Sequence, residues 1–278
     1  MCVTWFMVNE NSGVIGYKLV LAFNRDEFFD RPALPAEFLE SNGDVLCGVD
    51  MTPGKEGGTW LGISKMGKVA CLLNIRDKHV NPELKGRGSL VTNFLTSDID
   101  GYSYLKQLTG TDYNGFNLLT MDFRNYKPEI CYYSNRSESE PVTLETGYYG
   151  VSNSLLFQPW PKANAGKEYL EQLLKDKPTI SAEELTKHLI SYAQGNDGLA
   201  TKVNFFLNEE ELSKALPKTA FVDSPIYGTR CTTVILIDND GKVTYTEKTR
   251  IDPMDSENTN WSSKTTVFNI KSSLDSKY

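Results

Sequence analysis

The feature that most constrains the fold is that the apolar runs of this sequence come in neighbouring pairs. Cys2–Val8 and Tyr17–Asn24 are β-branched or aromatic runs separated by one short polar segment. Cys231–Asp238 and Lys242–Lys248 flank Asn239-Asp240-Gly241 in the same way. Runs joined by so short a turn pair as antiparallel hairpins. The sequence therefore predicts antiparallel sheets, because strands in βαβ repeats would be separated by a helix.

Helical patterns occur in two clusters between these hairpins. Ser89–Leu95 and Tyr102–Leu108 indicate short helices. Lys162–Asp176 has an apolar stripe at helical spacing, and a further helix begins at a capping box opened by Ser181. Hairpins and clustered helices predict an α+β domain in which helices cover antiparallel sheets. The stripe of the third helix consists of Ala165, Tyr169, Leu170, Leu173 and Leu174.

Composition and charge exclude several classes of protein. The net charge of −7, without a Lys/Arg block, argues against a nucleic-acid-binding protein. Five cysteines without a C-x-x-C pair indicate neither a disulfide framework nor a zinc site, and so a reducing compartment. No apolar stretch approaches the ~20 residues of a membrane span, and the two histidines, His79 and His188, do not suggest a metal site. Residues 1–278 are expected to form a single domain, with 271–278 a frayed tail.

Cys2 is the first candidate for chemistry. A cysteine behind the initiator methionine is small enough for methionine aminopeptidase, so the mature chain is expected to begin with Cys2. That residue would carry a thiol and a free α-amine, whose unperturbed pKa values are roughly 8.5 and 7.7–8.0. The amine can accept the thiol proton and later donate it to a leaving group. The alternative is a small core residue that opens a strand, since free cysteines are commonly buried.

A polar cluster follows the second apolar run. Asn24-Arg25-Asp26-Glu27 closes the predicted strand, and Arg31 comes shortly after. An arginine beside Cys2 would favour a thiolate, and a carboxylate there would hold an α-ammonium. The alternative is a solvated turn, because polar residues commonly end strands.

Three further polar residues lie at the ends of predicted strands. Asn74 and Asn153 carry amides that could donate to an oxyanion, although isolated asparagines at strand ends are usually turn formers. Arg230 stands immediately before the strongest predicted strand. It could clamp a substrate carboxylate or lower the pKa of Cys2, and the alternative is a surface arginine.

Together these motifs resemble the NRDE family, which is named for the tetrapeptide at Asn24–Glu27. The resemblance includes Met1-Cys2 before a strand and Arg31-Pro32 after the tetrapeptide, and it covers nearly the whole chain. The other segments that carry it are Gly57–Ile63, Gly86–Gly88, Tyr113–Leu118, Tyr149–Asn153 and Tyr227–Arg230.

The resemblance implies the four-layer αββα sandwich of N-terminal nucleophile hydrolases, with two antiparallel sheets between helical layers. In the more distantly similar choloylglycine hydrolases and penicillin acylases, two residues separate the early arginine from the acid. Here Arg25 and Asp26 are adjacent, and neighbours in a strand point to opposite faces. Either the chain turns at this point, or Glu27 serves Cys2 in place of Asp26. The implied catalytic residues are Cys2, Arg25, Asp26, Asn74, Asn153 and Arg230, and the implied ligand-binding residues are Asn24, Glu27, Arg31 and Trp60.

Two functions follow, and the first is favoured because the family resemblance implies it. The resemblance implies an intracellular haem chaperone, linked to mitochondrial and lipid metabolism, that mobilises haem from organelles toward haem-accepting proteins, with haem as its transported ligand. The residues indicate instead a Cys2-dependent amidohydrolase or acyltransferase acting on a small amide, acyl or acyl-CoA substrate. A third reading is a binder of acyl groups without turnover. In each case a cytoplasmic protein is expected, with mitochondria and other organelles as candidates for association.

Overall fold

The computed structural model describes residues 2–10, 13, 15–77, 79–196, 202–204, 214–215, 217–252 and 260–271. The described helices are α1 (Ser89–Thr96), α2 (Gly101–Lys106), α3 (Pro161–Asp176) and α4 (Ala182–Ala193). The described strands are β1 (Val3–Val8), β2 (Tyr17–Phe28), β3 (Ala33–Leu39), β4 (Asn42–Asp50), β5 (Leu61–Ser64), β6 (Lys68–Asn74), β7 (Phe116–Asp122), β8 (Glu129–Ser134), β9 (Val142–Thr143), β10 (Gly147–Val151), β11 (Lys202–Asn204), β12 (Phe221–Asp223), β13 (Tyr227–Asp238), β14 (Lys242–Ile251) and β15 (Asn260–Asn269).

The chain divides into two compact units that alternate along the sequence. The first contains residues 1–31, 147–152 and 156–267, and the second contains 32–146, 153–155 and 268–278. Each unit has its own sheet, and of the described α-helices α3 and α4 belong to the first unit and α1 and α2 to the second. The single domain that the sequence indicates stays a prediction, and the predicted frayed tail lies outside the described residues from 272 onward.

The sheet of the first unit is built around β2. Its strand order is β10-β1-β2-β13-β12-β11, and β14 pairs with the far side of β13 and with β15. The pairs β1–β10, β1–β2, β2–β13, β12–β13 and β13–β14 are antiparallel, and β11 with β12 is parallel. Val3, Trp5 and Met7 of β1 point to one face, where they form a core with α3 and α4. Alternate residues of β1 therefore point to the opposite face.

The second unit contains a simpler antiparallel sheet. Its described strands follow the order β3-β4-β5-β6-β7-β8-β9, so each strand pairs with its neighbour in sequence. The turn between β5 and β6 contains Gly67 at φ 92°, a conformation that glycine adopts without a Cβ penalty. Phe94 of α1 and Tyr104 of α2 pack with sheet residues such as Leu118 in one core.

The predicted α+β class, with two largely antiparallel sheets that each bear helices, is confirmed. None of the helices in the described parts of the chain is long and apolar enough to cross a membrane. Three details differ from the sequence prediction. β2 continues through the tetrapeptide to Phe28. The buried stripe of α3 contains Lys162, Ala163 and Gly166, whereas Ala165 is exposed.

The hairpin of β3 and β4 and the strand β15 do not show in the sequence pattern. β3 contains Pro35, which cannot donate a ladder hydrogen bond, and the register shifts between Leu34 and Glu37. The strand lies at the edge of its sheet, where proline is tolerated. β15 is largely polar and exposed, so it lacks the apolar alternation by which a strand is recognised.

Lys68 anchors α1 to the sheet beneath it. Its side chain is buried, and Nζ donates to the carbonyl oxygens of Ser97 at 2.5 Å and Ile99 at 2.6 Å. The ammonium also lies 4.3 Å from the centre of the Phe94 ring. These carbonyls follow the last turn of α1, where the helix leaves its C=O groups unpaired. Burial lowers the pKa of Lys68 to about 8.

We predict that Lys68→Met lowers the free energy of unfolding by about 2–4 kcal/mol, because the partly buried carbonyls of Ser97 and Ile99 lose a charged donor. The folded pKa lies below the ordinary value of about 10.4. Between these values the unfolded chain binds more protons at this site, so the Lys68 contribution rises with pH. Denaturant unfolding at pH 7 and pH 10 measures both effects. Lys65→Met, which removes a surface ion pair, should cost less than about 1 kcal/mol, and equal losses in both variants would contradict this role for Lys68.

Candidate functional site

Cys2 lies immediately before β1, the strand of the first sheet that begins at Val3. Val3 pairs with Asn24 of β2, and the same register carried one residue further places Cys2 opposite Arg25. Arg25 in turn pairs with Cys231 of β13. Residues that face each other across antiparallel strands share a face. The Cys2 thiol and the Arg25 guanidinium therefore belong to the face opposite α3 and α4.

The strand β2 does not turn at the tetrapeptide. Asp26 pairs with Thr229, Glu27 with Gly228 and Phe28 with Tyr227, so the strand stays extended. Adjacent residues point to opposite faces of a sheet, and Arg25 and Asp26 are therefore separated by the plane of the sheet. The hypothesis that the chain turns at Arg25 and Asp26 is therefore wrong.

Asp26 is the carboxylate that acts on Cys2. Its backbone N–H is hydrogen-bonded to the thiol and favours the thiolate, whereas its negative charge raises the pKa of Cys2. Glu27 is engaged elsewhere, because its Oε2 lies 3.1 Å from Nη1 of Arg31 and its Oε1 accepts from the backbone of Phe28. Asp26 and not Glu27 is therefore the acid associated with Cys2.

The surroundings of the Cys2 thiol favour its protonated form. The residue is partly exposed, but its thiol is enclosed, and burial is the largest of the effects that raise its pKa. The charge of Asp26 acts in the same direction, and the Arg25 guanidinium lowers the pKa. A thiol in this position needs a nearby base before it can attack a substrate.

The carboxylate of Asp26 lies on the side of the sheet that carries α3 and α4. Thr229 Oγ1 donates to its Oδ1 at 2.7 Å, and Nζ of Lys162 lies 3.8 Å from its Oδ2. Both the aspartate and the lysine side chain are fully buried. Burial raises the pKa of Asp26, and the Lys162 charge and the Thr229 hydrogen bond lower it.

Lys162 is the site residue that the sequence analysis missed. A lysine near the start of a helix is usually exposed, but α3 approaches the sheet very closely. Gly166 leaves room for the indole of Trp5, and a Cβ there would lie 2.0 Å from Trp5 Nε1. A Cβ at Gly150 would lie 2.0 Å from the Ala163 carbonyl oxygen. Lys162, Gly166 and Leu170 have helical spacing, so extending the predicted stripe backward by one turn would have found Lys162.

Arg230 occupies a bulge in β13. Thr229 pairs with Asp26 and Cys231 with Arg25, which leaves Arg230 as the extra residue. Its Nη1 donates to the carbonyl oxygen of Phe28 at 3.1 Å and to that of Arg31. Burial and the nearby Arg25 charge lower the pKa of Arg230. The guanidinium groups of Arg25 and Arg31 thus lie within electrostatic range of Arg230.

The Asn24 side chain makes hydrogen bonds within the protein interior. Its side chain is fully buried, Nδ2 donates to the carbonyl oxygens of Ala193 at 2.7 Å and Ala220 at 2.8 Å, and Oδ1 accepts from Thr232 at 2.7 Å. These bonds connect β2 to the end of α4 and to β13. Its amide is committed to the backbone in this structure, which gives no support to the expected ligand-binding role.

The remaining predicted site residues belong to the second unit. Asn153 is buried, and its Nδ2 donates to the carbonyl oxygen of Asn74 at 2.6 Å. The Asn74 side chain is exposed at the end of β6. Trp60 is partly buried, and its ring lies so close to Gly48 that a Cβ there would be 2.5 Å from it. The structure thus brings Asn74 and Asn153 together within this unit.

Neither histidine belongs to a group of potential metal ligands in the described part of the chain. His79 is exposed, and His188 on α4 lies 3.6 Å from Glu184 at the surface. Among the residues that the structure describes, no group of three or more His, Cys, Asp or Glu side chains could hold a metal ion.

Fold and site together define a class of α+β proteins with largely antiparallel sheets and a cysteine, an arginine and an aspartate at the first strand pair. The chain belongs to the Transport and Golgi organisation 2 family, whose model matches residues 1–252. It is 42% identical to the bovine Transport and Golgi organization protein 2 homolog over 283 residues, which cover 98% of this chain and all of that protein. The human homolog is 40% identical over the same span and coverage.

Among solved structures, the chain is similar to a C2A mutant of conjugated bile acid hydrolase from Clostridium perfringens. The TM-score is 0.49 with 12% identity, over 98% of this chain and 97% of the hydrolase. It is also similar to a Caenorhabditis elegans ortholog of N-acylethanolamine-hydrolyzing acid amidase. That comparison has a TM-score of 0.48 and 9% identity, and covers 84% of this chain and 92% of the amidase.

The close docking of α3 is testable through Gly166. Gly166→Ala should gain about 1 kcal/mol in helix propensity, but the added methyl would collide with the buried Trp5 indole, and overpacking of this kind costs more. We expect a net loss of about 1–3 kcal/mol in the free energy of unfolding, measured by denaturant titration. Glu168→Ala on the exposed side of α3 is the matched control and should change little. A Gly166→Ala protein as stable as the wild type would contradict the close approach.

Proposed function

We propose that this protein is a thiol-dependent amidohydrolase or acyltransferase with Cys2 as its nucleophile and a small amide or acyl compound as its substrate. The observation that carries the proposal is the position of the thiol, beside the Arg25 guanidinium and hydrogen-bonded to the backbone N–H of Asp26. Both groups stabilise a thiolate as it forms. The raised pKa keeps the resting thiol protonated, so the missing element is a base.

The α-amine of Cys2 is that base once methionine aminopeptidase has removed Met1. The sulfur attacks the acyl carbonyl and forms a C–S bond, and the thiol proton passes to the α-amine. The C–N bond of the amide then breaks, and the ammonium donates its proton to the departing amine. Water attacks the resulting thioester and releases the acid in the hydrolase. In the acyltransferase, a second nucleophile takes the acyl group.

The charges beside Cys2 favour a substrate or ligand with an anionic group. Arg25 and Arg31 are close enough to Arg230 to lower its pKa. Guanidinium groups bind carboxylates and phosphates in a bidentate manner. Either an acyl compound with a carboxylate or an acyl-CoA would meet this requirement.

Haem transfer is the second candidate, and its support is family membership together with the same arginines. The resemblance to the NRDE family implies a haem chaperone, and haem carries two propionates that guanidinium groups can bind. In this role haem is the cargo, the partners are haem-accepting proteins, and mitochondria are candidate donors. Cys2 is not required for propionate binding.

Labelling tests the nucleophile directly. We expect intact-mass measurement to show loss of Met1 and addition of one acyl group from a thiol-reactive acyl probe, while Cys2→Ala reduces labelling to background and keeps the melting temperature. Cys231→Ala is the matched control, because burial keeps the pKa of that thiol well above its ordinary value and it should not react. Equal labelling of the wild type and Cys2→Ala would contradict the proposal. Probe binding without mass addition would favour a non-catalytic acyl binder.

Haem transfer from a donor to an acceptor protein tests the second candidate. If the chain is a haem chaperone, the wild type should shift the haem absorption band and accelerate transfer, and Cys2→Ala should do the same. Arg230→Gln should weaken haem binding roughly tenfold, the effect of about 1.4 kcal/mol. Arg124→Gln, whose guanidinium binds Asp122 in the second unit, should leave binding unchanged. A wild type that neither shifts the band nor accelerates transfer would rule this candidate out.

A further inference from the structure

Lys162 and Asp26 form an ion pair that is completely removed from solvent. Nζ of Lys162 lies 3.8 Å from Oδ2 of Asp26, and neither side chain has exposed surface. Asp26 is the residue whose backbone binds the Cys2 thiol. Lys162 is electrostatically coupled to the same thiol, since a negative charge on Cys2 raises the pKa of Lys162. The three ionisable groups therefore act on one another.

The backbone of Lys162 is held from two sides. Its N–H donates to the carbonyl oxygen of Pro217 at 3.1 Å, and its carbonyl oxygen accepts from Trp5 Nε1 at 2.9 Å. Its ammonium lies 6.0 Å from the centre of the Trp160 ring. These contacts direct the side chain to Asp26 and leave it little freedom to move elsewhere.

This is an unfavourable position for a lysine if stability alone is considered. Burial lowers the pKa of Lys162, and the residue lies in the first turn of α3, where the helix dipole disfavours a positive charge. Buried ion pairs contribute little to stability compared with apolar residues of similar size. Perturbed ionisable groups of this kind are concentrated at functional sites.

We propose that Lys162 is a positioning residue that offsets the negative charge of Asp26 at Cys2. The inference rests on the proposed function above, because it concerns how the Cys2 proton is released. Without Lys162, the negative charge of the Asp26 carboxylate would act with less compensation on the thiol and on the α-amine of mature Cys2. Such a charge disfavours the thiolate and holds the amine as an ammonium, which is not a base.

Charged and titratable groups reach this site from several elements. Arg25 favours the thiolate from the shared face of the sheet, and Lys162 opposes the charge of Asp26 from α3. Lys162 pairs directly with the Asp26 carboxylate. The groups that act on Cys2, Asp26 and their immediate neighbours include the α-amine at the start of the chain, Arg25 and Glu27 from β2, Arg31 after β2, Lys162 from α3, Arg230 and Cys231 from β13, and Glu247 from β14.

Titration of the Cys2 thiolate tests the proposal in the Met1-free protein. The difference in ultraviolet thiolate absorbance between the protein and its Cys2→Ser counterpart isolates this thiol. We expect Lys162→Met to raise the pH midpoint of the Cys2 titration by about one unit, and Asp26→Asn to lower that midpoint by a similar amount. The Asp26→Asn/Lys162→Met double variant removes both charges and should return the midpoint close to that of the wild type. A purely structural role would not move the two single variants in opposite directions.

One control variant and one replacement variant complete the experiment. Lys68→Met removes a buried lysine from the second unit and should leave the Cys2 midpoint unchanged. If Lys162→Met does not fold, Lys162→Gln replaces it with the same expected shift. An unchanged midpoint in a folded Lys162 variant, or an upward shift in Asp26→Asn, would overturn the proposal. Labelling of Cys2 by the acyl probe is measured separately from the titration. If the midpoints shift as expected but the probe does not label Cys2, the proposed enzymatic function is rejected and the electrostatic role of Lys162 is retained.

Discussion

The pairing of β2 with β13 is the interaction on which the candidate site depends. β2 pairs with β13 from Tyr17 to Phe28, while β1 pairs with its other side. The polar tetrapeptide therefore lies inside a sheet, and alternation of the strand gives Arg25 and Asp26 different surroundings. One extra residue in β13 forms the bulge that directs Arg230 to the end of β2. A strand register thus determines which charges Cys2 experiences.

Charged groups in such a position must be compensated. Asp26 receives a hydrogen bond from Thr229 and the charge of Lys162, and Arg230 donates to backbone carbonyl oxygens. Asn24 makes three hydrogen bonds that connect β2 to its surroundings. These interactions satisfy buried polar groups more than they add stability. They hold the end of β2 in one arrangement, which is what a reacting group beside it requires.

Much of the fold could be predicted from the sequence because its signals are local. The β13–β14 hairpin and the helices α3 and α4 were evident from turn residues, apolar periodicity and the Ser181 cap. The edge strand β3 was not evident, because Pro35 and exposed residues obscure its pattern. Within the site, local pattern suggested Cys2 and the tetrapeptide. It could not show which acid acts on Cys2, because that depends on whether β2 turns.

Helical spacing could have placed Lys162 on the buried face of α3, but its complete burial could not be predicted from local pattern. Its burial depends on close approaches at Gly150 and Gly166, which let α3 contact the sheet. Sequence spacing can place a residue on a helix face, but it does not reveal how closely that face is packed. Similarly, the sequence indicated Asn24 as a ligand-binding residue, but the structure surrounds its amide with backbone acceptors.

The central claim is that Cys2 acts as a nucleophile with its own α-amine as base. Comparing the acylation rate of the Met1-free protein with that of a protein in which one residue is retained before Cys2 tests this claim most directly. Both proteins contain the same thiol and the same neighbours, but only the first has a free amine on Cys2. The account predicts rapid acylation of the Met1-free protein and acylation at the background rate in the other. Equal rates in the two proteins would contradict it.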